Sequence, residues 1–175
     1  CVYMSGVLLW MVHTVGYFPF MSYTMVSWTL LTFRFFLRAI GGPLAVQEAL
    51  RFPCIAGHCT TFLVWWVALV PTISYFCETK EKRKQFLAWT INPFLFNVHV
   101  LNLPLCILDH ALVPRDLVGV DLWIGLCVAL GYVLFYLLVL DANGIHFYII
   151  FSPRTKLCVL SYSSVLLLYF AIWRH

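Results

Sequence analysis

The chain has 175 residues, 11 basic and 7 acidic side chains, a net charge of +4 and 63% apolar residues. Charged residues make up 10%, against roughly 25% in soluble domains, and the mean hydropathy is +0.92. This excludes a soluble nucleotide-binding domain, a nucleic-acid-binding module and a secreted disulfide scaffold. It predicts an all-α polytopic membrane protein, one domain over residues 1–175 built as a bundle of six transmembrane helices.

Span one is expected from Val2 to Met21 and span two from Tyr23 to Ile40, with the turn at Pro19 to Ser22. The chain begins with Cys1 rather than Met. Its first apolar stretch lacks the basic region and cleavage site of a secretory signal, so a processed start or a partial sequence is expected. Gly41-Gly42-Pro43 stops span two, and Leu44 to Arg51 reads as a short amphipathic connection. Span three, Phe52 to Phe76, has Pro53 in its first turn and a kink expected at Pro71. The charged run Glu78 to Lys84 reads as a solvated loop.

Span four, Leu87 to Leu108, exits through Asp109-His110 and Pro114-Arg115-Asp116. Span five, Val118 to Leu140, holds Gly125 and Ala129 at i, i+4, a small pair that lets another helix approach closely. Asp141 to Gly144 ends it. Ile145 to Phe151 is apolar but too short to cross, so it lies at the interface or re-enters the bundle. Span six, Lys156 to Trp173, is closed by Arg174-His175.

Six spans put both chain ends on one side with Arg38, Arg51, Arg115 and Arg174, and put Lys80, Lys82, Arg83, Lys84, Arg154 and Lys156 on the other. The positive-inside rule favours the second set facing cytoplasm or matrix. The expected location is an endomembrane or the mitochondrial inner membrane. Seven cysteines without a C-x-x-C pair, mostly inside apolar stretches, read as small hydrophobes, and no metal or cofactor is expected.

Polar groups inside spans are costly unless they face the bundle interior, so they are the functional candidates. Asn92, His99, Asn102, Cys106 and Asp109 follow each other at helical spacing and share one face of span four. His99 is near mid-span, with Asn102 one turn on to orient its ring. Thr32 is central in span two, and a hydroxyl with a histidine at matching depth is the minimum for a nucleophile activated by a base. The competing reading has Thr32 bonding its own backbone and His99 tying helices together. Arg34 stands two residues from Thr32, on nearly the opposite face, with Asp121 or a lipid head group as its candidate partner. His13 and His58 leave a haem-ligating pair as a further possibility.

These residues resemble the androgen-induced and androgen-dependent TFPI-regulating protein family of six-span membrane proteins. Ser27-Trp28-Thr29-Leu30-Leu31-Thr32-Phe33 fits its second-span Ser-Trp-x-x-Leu-Thr-Phe, and Phe52-Pro53 its third-span opening. His99, Pro104 and Asp109 reproduce the spacing of its fourth span. Gly131-Tyr132 fits its fifth span, and Gly144 with Tyr148 fits the segment after that span. The chain departs from the family at Phe96-Asn97, at Tyr148-Ile149 in place of Tyr-Pro, and at Arg34.

The resemblance implies a threonine hydrolase of fatty acid esters of hydroxy fatty acids, with Thr32 as nucleophile and His99 as base. Asn102, Asn92 and Asp109 are supporting candidates. The alternative is a non-catalytic accessory subunit of a large respiratory or ATP-synthesising membrane complex that keeps the fold and a lipid pocket. The expected partners are membrane lipids and, in the alternative, other subunits of that complex, with no nucleic acid.

Overall fold

A computed structural model of the chain describes residues 1–113 and 115–174. Pro114 and His175, read from the sequence as markers of span exits, lie outside the described residues. All regular structure in the described residues is helical. Helix α1 (Val2–Val15) stops at Gly16, whose φ of +82° only glycine adopts readily, and a single turn at Phe18–Met21 follows. Helix α2 (Tyr23–Ala39) starts at Ser22, whose hydroxyl accepts the Met25 N–H at 3.3 Å. The short α3 (Leu44–Ala49) leads into α4 (51–76), followed by α5 (Lys80–Thr90), α6 (Pro93–Ala111), α7 (Gly119–Asn143) and α8 (Cys158–Arg174).

Three helical runs are long and apolar enough to cross a membrane: Leu44–Phe76, Pro93–Ala111 and Gly119–Asn143. The 14 residues of α1 rise about 21 Å at 1.5 Å per residue, short of a hydrocarbon core of about 30 Å. Large apolar side chains such as Trp123, Leu138 and Leu167 are exposed on the outside of the bundle, which suits a lipid environment.

Two expectations are corrected. The charged run is not a loop: from Lys80 it is the first turn of α5, because Lys, Glu and Arg are good helix formers and the turn is capped. Thr79 Oγ1 accepts the Lys82 N–H at 3.2 Å, and Glu78 pairs with Lys82 at 2.5 Å. Consequently the fourth apolar helix begins at Pro93 rather than Leu87, since Leu87 to Thr90 finish α5. Asn92 caps α6, its Oδ1 accepting the Leu95 N–H at 2.9 Å.

The main core joins Met4 and Met11 of α1, Met25, Trp28 and Leu31 of α2, Cys54 and Trp65 of α4, and Val98 and Cys106 of α6. A second cluster packs Phe52 and Ala56 of α4 against Leu122 of α7 and Tyr169 of α8. Gly125 lets α7 approach there: a Cβ at this position would overlap the Phe52 ring, itself fully buried and edge-on to Tyr169 at 5.8 Å. Gly125→Ala is therefore expected to lower stability by about 1–3 kcal/mol, the usual range for overpacking a core. Thermal denaturation in detergent checks it, and an unchanged melting point would contradict this packing.

Helices α4, α6 and α7 each contain one wide turn in which a backbone N–H reaches five residues back. Val70 N–H bonds the Trp65 carbonyl, Asn102 N–H that of Asn97, and Asp141 N–H that of Tyr136. Two of these π turns have a local cause. A helical proline clashes with the carbonyl four residues earlier. For Pro71 and Pro104 those carbonyls belong to Val67 and Val100, both within π turns that widen the helix and make room.

Candidate functional site

One end of the bundle is a layer of ion pairs. Asp109, 2% exposed, accepts Arg34 Nε at 2.6 Å and Arg38 Nη1 at 2.6 Å, and Arg34 is only 1% exposed. The partner of Arg34 is thus Asp109 and not Asp121. Asp121 instead binds Arg115 at 2.8 Å, near the start of its own helix, while its other oxygen accepts the Val118 N–H at 2.7 Å. Arg115 also reaches Glu48 at 2.9 Å. The bonded Asp121 and Glu48 carboxylates hold the Arg115 guanidinium charged beyond its usual range. Arg51, buried at the start of α4, donates to the carbonyls of Arg115 and Asp116 at 2.6 and 3.2 Å. Arg34 and Thr32, expected on nearly opposite faces of α2, are both buried, since neighbouring helices cover α2 on both sides.

Deeper in the bundle lie two adjoining cavities. An inner one of about 60 Å³ is lined by Thr60, Thr61, Ala129, Tyr132, Tyr136 and Tyr162, among others. An outer one of about 430 Å³ extends toward α1 past Met11, Val15, Asn92, Phe94 and Phe147. Thr24, Trp65, Leu69, His99 and Tyr148 line both and form the wall between them. No charged side chain among the described residues lines either cavity. Each π turn contributes to the inner one, through Val64 and Trp65, through His99 and through Tyr136.

The segment after α7 re-enters the bundle to complete this wall. Tyr148 Oη accepts the Thr24 N–H at 3.2 Å and bonds Thr24 Oγ1 at 3.1 Å, and the Tyr148 carbonyl accepts Tyr136 Oη at 2.9 Å.

His99, 6% exposed, is held by two indoles. Its ring stacks on Trp65 with centroids 4.0 Å apart and planes within 8°, and its carbonyl accepts Trp66 Nε1 at 3.0 Å. Asn102 makes no bond to it: Asn102 Oδ1 accepts the neighbouring Leu103 N–H at 2.7 Å. Nδ1 of His99 is buried without a partner.

Thr32, also buried, donates to the Trp28 carbonyl at 2.8 Å and lines neither cavity. Among the described residues no hydrogen bond joins Thr32 to His99. His58 is fully buried with Nδ1 on the Cys54 carbonyl at 2.7 Å, whereas His13 is exposed, so the two occupy different environments.

The polar atoms around the inner cavity are conspicuously unpaired. Thr60 Oγ1, Thr61 Oγ1, Trp65 Nε1, His99 Nδ1 and Tyr162 Oη belong to residues that line it, and each is buried and lacks a partner. Each such group costs about 1–3 kcal/mol when nothing satisfies it. Sequence reasoning passed over Thr60, Thr61, Trp65 and Trp66; the signal for them was two adjacent polar-capable pairs inside an apolar helix. No family model, curated protein or solved structure matches the chain.

Proposed function

We propose that the protein is a six-span membrane hydrolase of lipid esters, as its resemblance to the threonine-hydrolase family implies. The observation that carries this reading is the placement of His99, with a free ring nitrogen, in the wall between two apolar cavities. An ester lying in the outer cavity would put its polar linkage at that wall beside His99 and its hydrocarbon in apolar surroundings, which suits a substrate dissolved in the bilayer. The outer cavity alone falls within the usual volume range of small-molecule sites, roughly 300–1,000 Å³.

In the reaction, Thr32 Oγ attacks the ester carbonyl while His99 takes its proton and returns it to the departing hydroxy fatty acid. A water, deprotonated by the same ring, then releases the acid from the acyl-threonine. For this, the Thr32 hydroxyl exchanges the Trp28 carbonyl for His99. Hydroxyl to base contacts of this kind are often long or poorly aligned before substrate binds.

The test is hydrolysis of a branched fatty acid ester of a hydroxy fatty acid by the purified chain in detergent. Wild type is expected to turn over and to be labelled by a fluorophosphonate, and Thr32→Ala to lose both while keeping its thermal stability. Well-folded wild type that does neither would defeat the proposal. A second reading is favoured by the bond from Thr32 to Trp28 and its absence from both cavity walls. In that reading the fold serves as a lipid-holding accessory subunit of a membrane complex.

A further inference from the structure

The inner cavity has more hydrogen-bonding capacity than its own protein atoms use. We propose that Thr60, Thr61 and the Trp65 indole N–H form the binding site for the carbonyl oxygen of an acyl lipid, beside His99. This deepens the hydrolase reading by assigning its carbonyl site.

Three observations converge on it. Thr60 and Thr61 are each 4% exposed, and neither hydroxyl bonds the backbone one turn back as threonines in apolar helices normally do. Thr32 and Thr14, by contrast, both make that bond. Next, Trp65 lies four residues after Thr61 on the same helix face and stacks on His99, so these groups meet around one space. Finally, the α4 turn that carries Trp65 is a π turn, a geometry recurrent at functional sites.

The chemistry of the lining selects the ligand. An indole N–H can only donate, and the hydroxyls can donate while rotating freely, so the complementary atom is an acceptor with more than one lone pair. The lining holds no Lys or Arg, which disfavours a carboxylate or phosphate and favours a neutral carbonyl. Ordered water is the competing occupant, because a space of this size bordered by residues with unpaired polar groups admits it.

A long-chain methyl ketone carrying 13C at its carbonyl is the probe, since it cannot be hydrolysed. It is added to the full chain in detergent and followed by isotope-edited infrared spectroscopy. The 13C carbonyl band is expected at lower frequency on the protein than in detergent alone. The Thr60→Val, Thr61→Val double variant should return it toward the detergent position and weaken binding roughly 10- to 100-fold, about 3- to 10-fold per hydroxyl.

The same double variant should melt at a higher temperature than wild type when empty, because it removes two unsatisfied groups. A purely structural pair of threonines would give the opposite sign. If the double variant fails to fold, Trp65→Phe, which removes the indole N–H and keeps a smaller aromatic ring against His99, should reverse part of the shift. The proposal is overturned by absence of ketone binding, by a wild-type band at the detergent position, or by a lowered band that survives both substitutions. Wild-type chain that lowers the band yet hydrolyses no ester strikes the hydrolase reading alone.

Discussion

Asp109→Ala is expected to destabilise the bundle by about 3–5 kcal/mol, the range for removing one partner of a buried ion pair. The carboxylate is the direct partner of two guanidiniums, and Arg34 has almost no contact with solvent. Without it Arg34 would retain only Glu48, 4.0 Å away. Its Nη1 already lacks a partner. Most of the loss is the desolvation of a stranded charge, not the strength of the bond. The companion double variant Arg34→Met, Asp109→Leu should therefore recover most of the stability. Denaturation of both variants in mixed micelles measures this. A double variant as unstable as Asp109→Ala would show that the residues act through something other than mutual neutralisation.

His99→Gln is expected to reduce ester turnover by roughly 10²- to 10⁴-fold, the usual contribution of a positioned general base. The substitution keeps side-chain length and hydrogen-bonding capacity but removes a titratable ring. Its structural cost is the stack on Trp65, about 0.5–1.5 kcal/mol for an aromatic pair. The variant should therefore fold and still bind the ketone probe. Steady-state kinetics beside a melting curve separates the two effects. Turnover within a fewfold of wild type would remove His99 from the chemistry and leave it as a wall residue.

Much of the helical framework could be read from the residues, because it depends on runs of apolar residues and on glycine and proline breaks. Helix α2 and the end of α4 fall within a residue of expectation. The error at span four has a definite source. Leu87, Ala88, Trp89 and Ile91 are apolar and adjacent to the next helix, so hydropathy merges this stretch with it, whereas Asn92-Pro93 separates them by an N-cap and a residue that cannot donate.

The polar face of α6 was also legible, since His99, Asn102, Cys106 and Asp109 are all buried. Its pairing was not. Choosing Asp109 over Asp121 for Arg34 requires knowing that α6 ends against α2 while Arg115 folds back onto α7, a relation between segments far apart in the chain. Thr60 and Thr61 escaped notice because a helical threonine is usually satisfied by its own backbone. Only the tertiary structure reveals that these two are not.

The three π turns have a meaning for sequence comparison. A π turn arises when an α-helix gains one residue, and each residue advances an α-helix by about 100°. Deleting one residue within Val64–Leu69 would restore regular winding and leave the helix beyond on nearly the same faces, but it would remove the wide turn that carries Trp65. The inner cavity thus depends on chain length at three places, as well as on the residues that line it. A related chain with the same lining but one residue fewer in α4, α6 or α7 would align with a single gap and yet lack the space.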